Sequence, residues 1–252
     1  MTTRYTMRVL AFLLFVVLSR PAFSFDHEHL NFSKILAQDV SVSGAQTLVN
    51  YKNLKKNPVQ LDEYLKTLSA VKKSEYDSFS SSQQLAFMIN AYNAFTIKLM
   101  RDHWPVKSIK DLGGLFSSAW KKEFFSLLGQ KRHLDWIEHE VIRKDFNEPR
   151  IHFAVNCASM GCPPLRQEAF RASAIDHQLE EQAKLFLNDT TKNKYENGEA
   201  KLSKIFDWYG SDFTKDGGDL INALNQWREK KFPSNAKITF LNYDWAPNST
   251  EQ

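Results

Sequence analysis

Apolar positions recur along this chain at two spacings, and the longest helical run is the one the rest must pack around. Between Ser81 and Arg101, the residues Leu85, Phe87, Met88, Ile89, Tyr92, Phe95, Ile97, Leu99 and Met100 leave almost no side polar. A helix that is apolar all round is a central, buried one. A serine supplies its N-cap, and His103-Trp104-Pro105 ends it, because proline cannot continue the hydrogen-bond ladder. Asn90 and Asn93 stand three apart and so face the same way. Buried amides must find partners. These two either tie the helix to a neighbouring loop or line a site, where they would orient a substrate carbonyl or a catalytic imidazole.

Shorter amphipathic patterns flank this helix. Leu30 to Ala37, Gln60 to Leu68 and Ser173 to Asn188 read as helices, the last with Ile175, Leu179, Ala183 and Phe186 on one side. Asp135 with Glu138 three residues on suggests a capping box opening a helix from Trp136 to about Asp145. His139 and Arg143, four apart, share a side of it. Phe206 to Phe213 and Leu220 to Trp227 complete the helices. Strand signals are short and scattered: Thr47 to Lys52, a hairpin over Phe124 to Leu134 turning at Gly129-Gln130, a hairpin over Lys194 to Ile205 turning at Asn197-Gly198, and Lys237 to Trp245. Helices outnumber strands, which predicts an α/β or α+β fold: a single helix-rich mixed domain, with a small sheet and a buried central helix.

One stretch concentrates the chemistry. Arg150 to Leu165 reads RIHFAVNCASMGCPPL and holds both cysteines of the chain. Ile151, Phe153 and Val155 alternate with His152, Ala154 and Asn156, the period of a strand. Pro163 and Pro164 require the strand to end before them. Cys157 then sits at the strand's end and Cys162 on the loop after it, where ligands bind if the sheet is parallel. Regular alternation also points His152 away from Cys157, so a Cys–His dyad from this strand alone would need a bulge.

Residues 1–24 have the form of a secretory leader: Arg4 and Arg8, an apolar run from Val9 to Leu18, then Ala22-Phe23-Ser24. Residues 25–252 then form the domain, with a periplasmic or secreted location expected. The apolar run is short for a membrane span, and no later segment reaches about 18 consecutive apolar residues, so no span is expected after cleavage. Losing Arg4, Arg8 and Arg20 takes the net charge from +4 to about +1. The chain has no basic stripe with interleaved aromatics, so nucleic acid is not an expected partner. Cleavage after Ser24 would expose Phe25-Asp26-His27, an arrangement able to wrap Cu(II) or Ni(II) in a square plane. In an oxidising compartment the two cysteines either pair or stay free, and the spacing alone leaves both states open.

Several strings are similar to those of the family known as domain of unknown function 547 (DUF547). They are Ala86-Phe87-Met88-Ile89-Asn90-Ala91-Tyr92-Asn93-Ala94, Ile137-Glu138-His139, Arg150 to Ala154 with Cys157-Ala158-Ser159, and Gly161 to Leu165. Further along come Phe206-Asp207-Trp208-Tyr209 with Asp212-Phe213, and Tyr243-Asp244-Trp245. The resemblance extends over nearly all of the chain after the leader. The family often has Trp where Met88 stands, a core exchange. The resemblance implies a single mixed domain, often in exported bacterial proteins, and it brings no activity or catalytic residues.

Two functions follow from the residues. The first is a thiol-dependent hydrolase or acyl transferase acting on a peptide, amide or ester of the cell envelope. Cys157 or Cys162 would be the nucleophile, His152 or His139 its base, and Glu138 or Asn90 a third polar group. Asn93, Asn156, Ser159 and Arg143 would contact substrate, and amides of the 158–162 loop would form an oxyanion hole. The alternative is a non-catalytic binding domain for a small molecule or peptide. There Cys157 and Cys162 form a disulfide that staples the loop, and the aromatics near 206–213 and 245 shape a groove. No cofactor motif stands out. A zinc site would need more close ligands than the two cysteines with His152 or His139.

Overall fold

The protein is described by a computed structural model covering residues 25–114 and 118–251; the leader segment lies outside the described residues. The chain opens with helix α1 (Leu30–Asp39), the hairpin β1 (Val40–Ser43) and β2 (Gln46–Val49), and helices α2 (Tyr51–Lys56), α3 (Val59–Ala70) and α4 (Lys73–Asp77). The long helix α5 (Ser81–His103) follows, with a second hairpin of β3 (Phe125–Leu127) and β4 (Gln130–Arg132). A π-helical segment, Trp136–Ile142, runs into a single α turn, α6 (Arg143–Asp145). After a 3-10 helix at Pro149–Phe153 come α7 (Ile175–Asn188), β5 (Lys194–Glu196), β6 (Glu199–Leu202), α8 (Ile205–Tyr209), α9 (Leu220–Asn225) and β7 (Lys237–Phe240). Helices dominate and the sheets are small, so the fold is a helix-rich α+β arrangement.

Helix α5 is the central element. Its residues from Leu85 to Ile97 are all buried. Its start is fixed by a capping box: Gln83 N–H donates to Ser80 Oγ (3.3 Å) and Ser80 N–H to Gln83 Oε1 (2.9 Å). Such a cap contributes about 1 kcal/mol. The two asparagines act as ties. Asn90 Nδ2 donates to the Phe170 carbonyl (2.7 Å) and its Oδ1 accepts from Phe170 N–H (2.9 Å). Asn93 Nδ2 donates to the Ala154 carbonyl (2.9 Å) and its Oδ1 accepts from Asn156 N–H (2.8 Å).

The buried side chains form two clusters. A larger one gathers around α1, α3 and α5; a smaller one holds Phe153, Phe186, Phe206, Phe213 and Leu224. The segment read as a strand over 151–155 is the 3-10 helix joining them. Pro149 presets a helical φ at its start, and the Glu148 side chain accepts from Arg150 N–H (3.0 Å). With three residues per turn, Ile151 enters the larger cluster and Phe153 the smaller. Burial on more than one side imitates strand alternation.

Pairing is otherwise local. β1–β2, β3–β4 and β5–β6 are antiparallel hairpins; β6–β7 is a parallel pair far along the chain from the cysteines. The cysteine loop therefore does not follow a parallel strand, and the expectation built on that geometry fails. The β3–β4 and β5–β6 turns have positive φ at both central residues, Leu128-Gly129 and Asn197-Gly198, as turns matching the strand twist require. The β3–β4 turn comes one residue earlier than the sequence suggests. No helix among the described residues is long and apolar enough to cross a membrane.

Candidate functional site

Several stretches of chain converge on one cleft of about 270 Å³, among them the turn at Ala119–Lys121, which contributes Trp120. α5 contributes Tyr92. The π-helical segment and its approach contribute Asp135, Glu138 and His139. The 3-10 helix and cysteine loop contribute His152, Cys157 and Cys162, and the later chain contributes Trp208, Tyr209, Tyr243 and Trp245.

The π-helix replaces the expected α-helix start. Asp135 is itself helical (φ −55°, ψ −34°) and makes no side-chain cap bond, so the capping box does not form. Glu138 turns inward instead, only 5% exposed, with the hydroxyls of Tyr92 and Tyr209 against its carboxylate. Burial, and then that carboxylate, push both phenols above their ordinary range. Burial likewise raises the Asp135 carboxyl. Irregular helical turns of this kind frequently occur at functional sites.

A polar chain runs along one side. His152 Nε2 donates to Asp212 Oδ2 at 2.8 Å. Arg143 grips the same carboxylate with two bonds, Nε to Oδ2 (2.6 Å) and Nη2 to Oδ1 (3.1 Å). Arg143 Nη1 also donates to His139 Nδ1 (3.0 Å), which makes that nitrogen the acceptor. Tyr209 stacks on His152 with ring centroids 4.2 Å apart and planes 15° off parallel. The His152 hydrogen bond and the Arg143 guanidinium hold the Asp212 carboxyl well below the usual carboxylate range. Burial lowers His152, with Asp212 pulling the other way, so the imidazole is held toward its neutral form.

Cys157 and Cys162 form a disulfide on the cleft wall. The Tyr243 hydroxyl lies 3.0 Å from Cys157 Sγ and 3.1 Å from Cys162 Sγ, and Cys157 N–H points to Cys162 Sγ at 3.0 Å. The loop between the cysteines is clamped from both sides. Asn156 Oδ1 accepts from Ala158 N–H (2.9 Å), holding Ala158 at a positive φ of 62°. Met160 N–H donates to the Ala246 carbonyl and Gly161 N–H to the Asp244 carbonyl, both at 2.8 Å. Gly161 is needed here, because a Cβ would meet the Tyr243 ring at 2.8 Å. The aromatic rings stand at angles: Trp208–Tyr243 at 5.0 Å and 52°, Tyr243–Trp245 at 4.5 Å and 52°, Trp120–Trp245 at 5.9 Å and 69°.

Of the residues singled out in the sequence, Cys157, Cys162, His152, His139 and Glu138 line the cleft together. Arg143 stands behind His139 and Asp212. Asn90, Asn93 and Asn156 do not line it; their amides are occupied by backbone partners. Ser159 is fully buried with an unpartnered hydroxyl, also away from the cleft. Among the described residues no group of three or more His, Cys, Asp or Glu is placed to hold a metal ion. Asp212 and Tyr243 were missed as site residues, although both lie in the aromatic strings that carried the family resemblance.

Residues 76–187 match the family model described as "Protein of unknown function, DUF547". This segment belongs to the DUF547 family. No curated protein and no solved structure matches the chain. The DUF547 match includes α5, the π-helical segment, both cysteines and His152. Asp212, Trp208, Tyr209, Tyr243 and Trp245 lie beyond it, so the later chain completes a cleft that the DUF547 segment begins.

Proposed function

We infer that the protein is an exported binding domain whose cleft holds a small organic ligand or the end of a peptide. The observation that carries this reading is the lining itself. Both sulfurs are tied together, and tyrosines and tryptophans supply much of the remaining wall around a few convergent polar groups, the make-up of a ligand pocket. The charge of the lining narrows the ligand. Asp135 and Glu138 face the cleft, no lysine or arginine lines it among the described residues, and Arg143 is engaged by Asp212. Aromatic faces beside carboxylates favour a cation or a neutral molecule over an anion. The leader-like start of the chain supports a periplasmic or secreted setting.

Titration with benzyltrimethylammonium and with benzenesulfonate, read by tryptophan fluorescence, tests this. The cation is expected to bind and the sulfonate not, and the signal should vanish in a Trp208→Ala/Trp245→Ala double variant. Equal binding of the sulfonate, or an unchanged signal in the double variant, would refute it.

One observation favours the thiol-dependent hydrolase or acyl transferase. His152, oriented by Asp212 at 2.8 Å, lines the same cleft as Cys157. In reduced protein these would be nucleophile, base and orienting carboxylate for an envelope peptide, amide or ester. Cys157-dependent turnover of such a substrate by reduced protein would separate this reading from the first.

A further inference from the structure

We propose that Cys157–Cys162 is a redox-active disulfide that exchanges with thiols entering the cleft, Cys157 being the sulfur attacked and Cys162 the sulfur that leaves. The two sulfurs are not equivalent. Cys157 is partly exposed, whereas Cys162 is 1% exposed. The Cys157 N–H donates to Cys162 Sγ at 3.0 Å, and the Tyr243 hydroxyl, 3.0 Å from Cys157 Sγ and 3.1 Å from Cys162 Sγ, can turn its one proton to whichever sulfur becomes the thiolate. A sulfur in a disulfide is a weak acceptor and gains little from them. A thiolate gains much more, because hydrogen bonds to charged acceptors are the stronger ones. The arrangement is therefore complementary to the leaving thiolate of an exchange reaction, as an oxyanion hole is to a developing alkoxide.

The loop does not depend on the bridge for its shape. Met160 and Gly161 are held by the carbonyls of Ala246 and Asp244, Asn248 N–H donates to the Ala158 carbonyl, and Gln46 Nε2 donates to the carbonyls of Met160 and Cys162. A bridge closing so short a loop adds less by chain entropy than one closing a long loop. With these clamps in place, the Cys162 thiolate would remain beside Tyr243 after the bridge opens.

The exchange balances as follows. An incoming thiolate forms a bond to Cys157 Sγ, the Cys157–Cys162 bond breaks, and its electron pair leaves on Cys162 Sγ. A second thiolate of the same substrate attacks the substrate sulfur of the mixed disulfide, and Cys157 departs with the electron pair. The substrate dithiol becomes a disulfide, losing two electrons and two protons, and the protein pair gains them. A small disulfide, such as oxidised glutathione, returns the protein by the reverse steps. This role does not depend on the charge of the ligand discussed above.

The test uses the oxidised protein, folded and without denaturant, in millimolar reduced glutathione, quenched by alkylation and read by intact mass and peptide mapping. Reduction to the dithiol is expected. Cys162→Ser should accumulate a glutathione adduct on Cys157 when incubated with oxidised glutathione, while Cys157→Ser should leave the buried Cys162 unmodified. Tyr243→Phe should shift the equilibrium toward the disulfide by about tenfold, the loss of one hydrogen bond to a charged sulfur. A bridge that yields only after denaturant is added would overturn the proposal. So would an adduct on Cys162 in place of Cys157, or a Tyr243→Phe protein with the unaltered equilibrium.

Discussion

Asp212 links the two halves of the polar chain, His152 on one side and Arg143 with His139 on the other. It receives two bonds from Arg143 and one from His152, and it orients the imidazole that lines the cleft. Its side chain is 9% exposed and that of Arg143 is 26% exposed, so water does little to replace these contacts. Asp212→Asn removes the charge and one acceptor, and it leaves the guanidinium without its counter-ion. A loss of about 2–4 kcal/mol of folding stability is expected, the range for charged hydrogen bonds and partly buried pairs broken on one side. Urea denaturation measures it, and a change below about 0.5 kcal/mol, the level of an ordinary surface substitution, would show that the network carries little. His152 could be picked out in the sequence because a histidine close to two cysteines suggests chemistry, and His139 because it shares a side of a predicted helix with Arg143. Asp212 could not, since its partners are 60 and 69 positions away and nothing local distinguishes it from a helix-end carboxylate.

Among the elements, those whose signal is local were legible. α5, α3, α7 and the 194–202 hairpin follow from spacing, capping and turn residues. The π-helical segment and the 3-10 helix were not, because their form is set by what they face. Glu138 is drawn inward to two tyrosines instead of capping Asp135, and Ile151 and Phe153 enter different clusters. The α5 asparagines show how the same residue types serve structure. Asn90 satisfies both backbone groups of Phe170, and it is fully buried. Asn90→Ala leaves a buried N–H and a buried carbonyl without partners, which should cost about 2–5 kcal/mol. Asn90 does not line the cleft, so a protein still folded at low temperature should bind the benzyltrimethylammonium probe with unchanged affinity. A selective loss of binding with unaltered stability would instead place Asn90 in the site.

At the scale of the whole molecule, buried histidines tie stability to pH. Burial lowers His29 from its ordinary value to about 4; Nδ1 lies 2.7 Å from the Tyr64 hydroxyl and Nε2 has no partner. His152 is lowered in the same direction by burial. Between pH 6.5 and 4 the unfolded chain binds a proton at position 29 that the folded chain refuses, so stability is fully present above pH 6.5 and falls as the solution is acidified. For His29 the loss from pH 7 to pH 4.5 is about 2–3 kcal/mol. Asp39 and Asp135, raised by burial, act in the opposite sense, so the total slope does not isolate one histidine. The difference between the protein and a His29→Gln variant does, because the carboxyls are common to both. Denaturant titrations at the two pH values should show the variant losing about 2–3 kcal/mol less than the parent. An identical loss in both would mean that the His29 imidazole accepts its proton in the folded state as readily as in the unfolded one. The packing of α1 against Tyr64 would then have to be looser than its burial indicates.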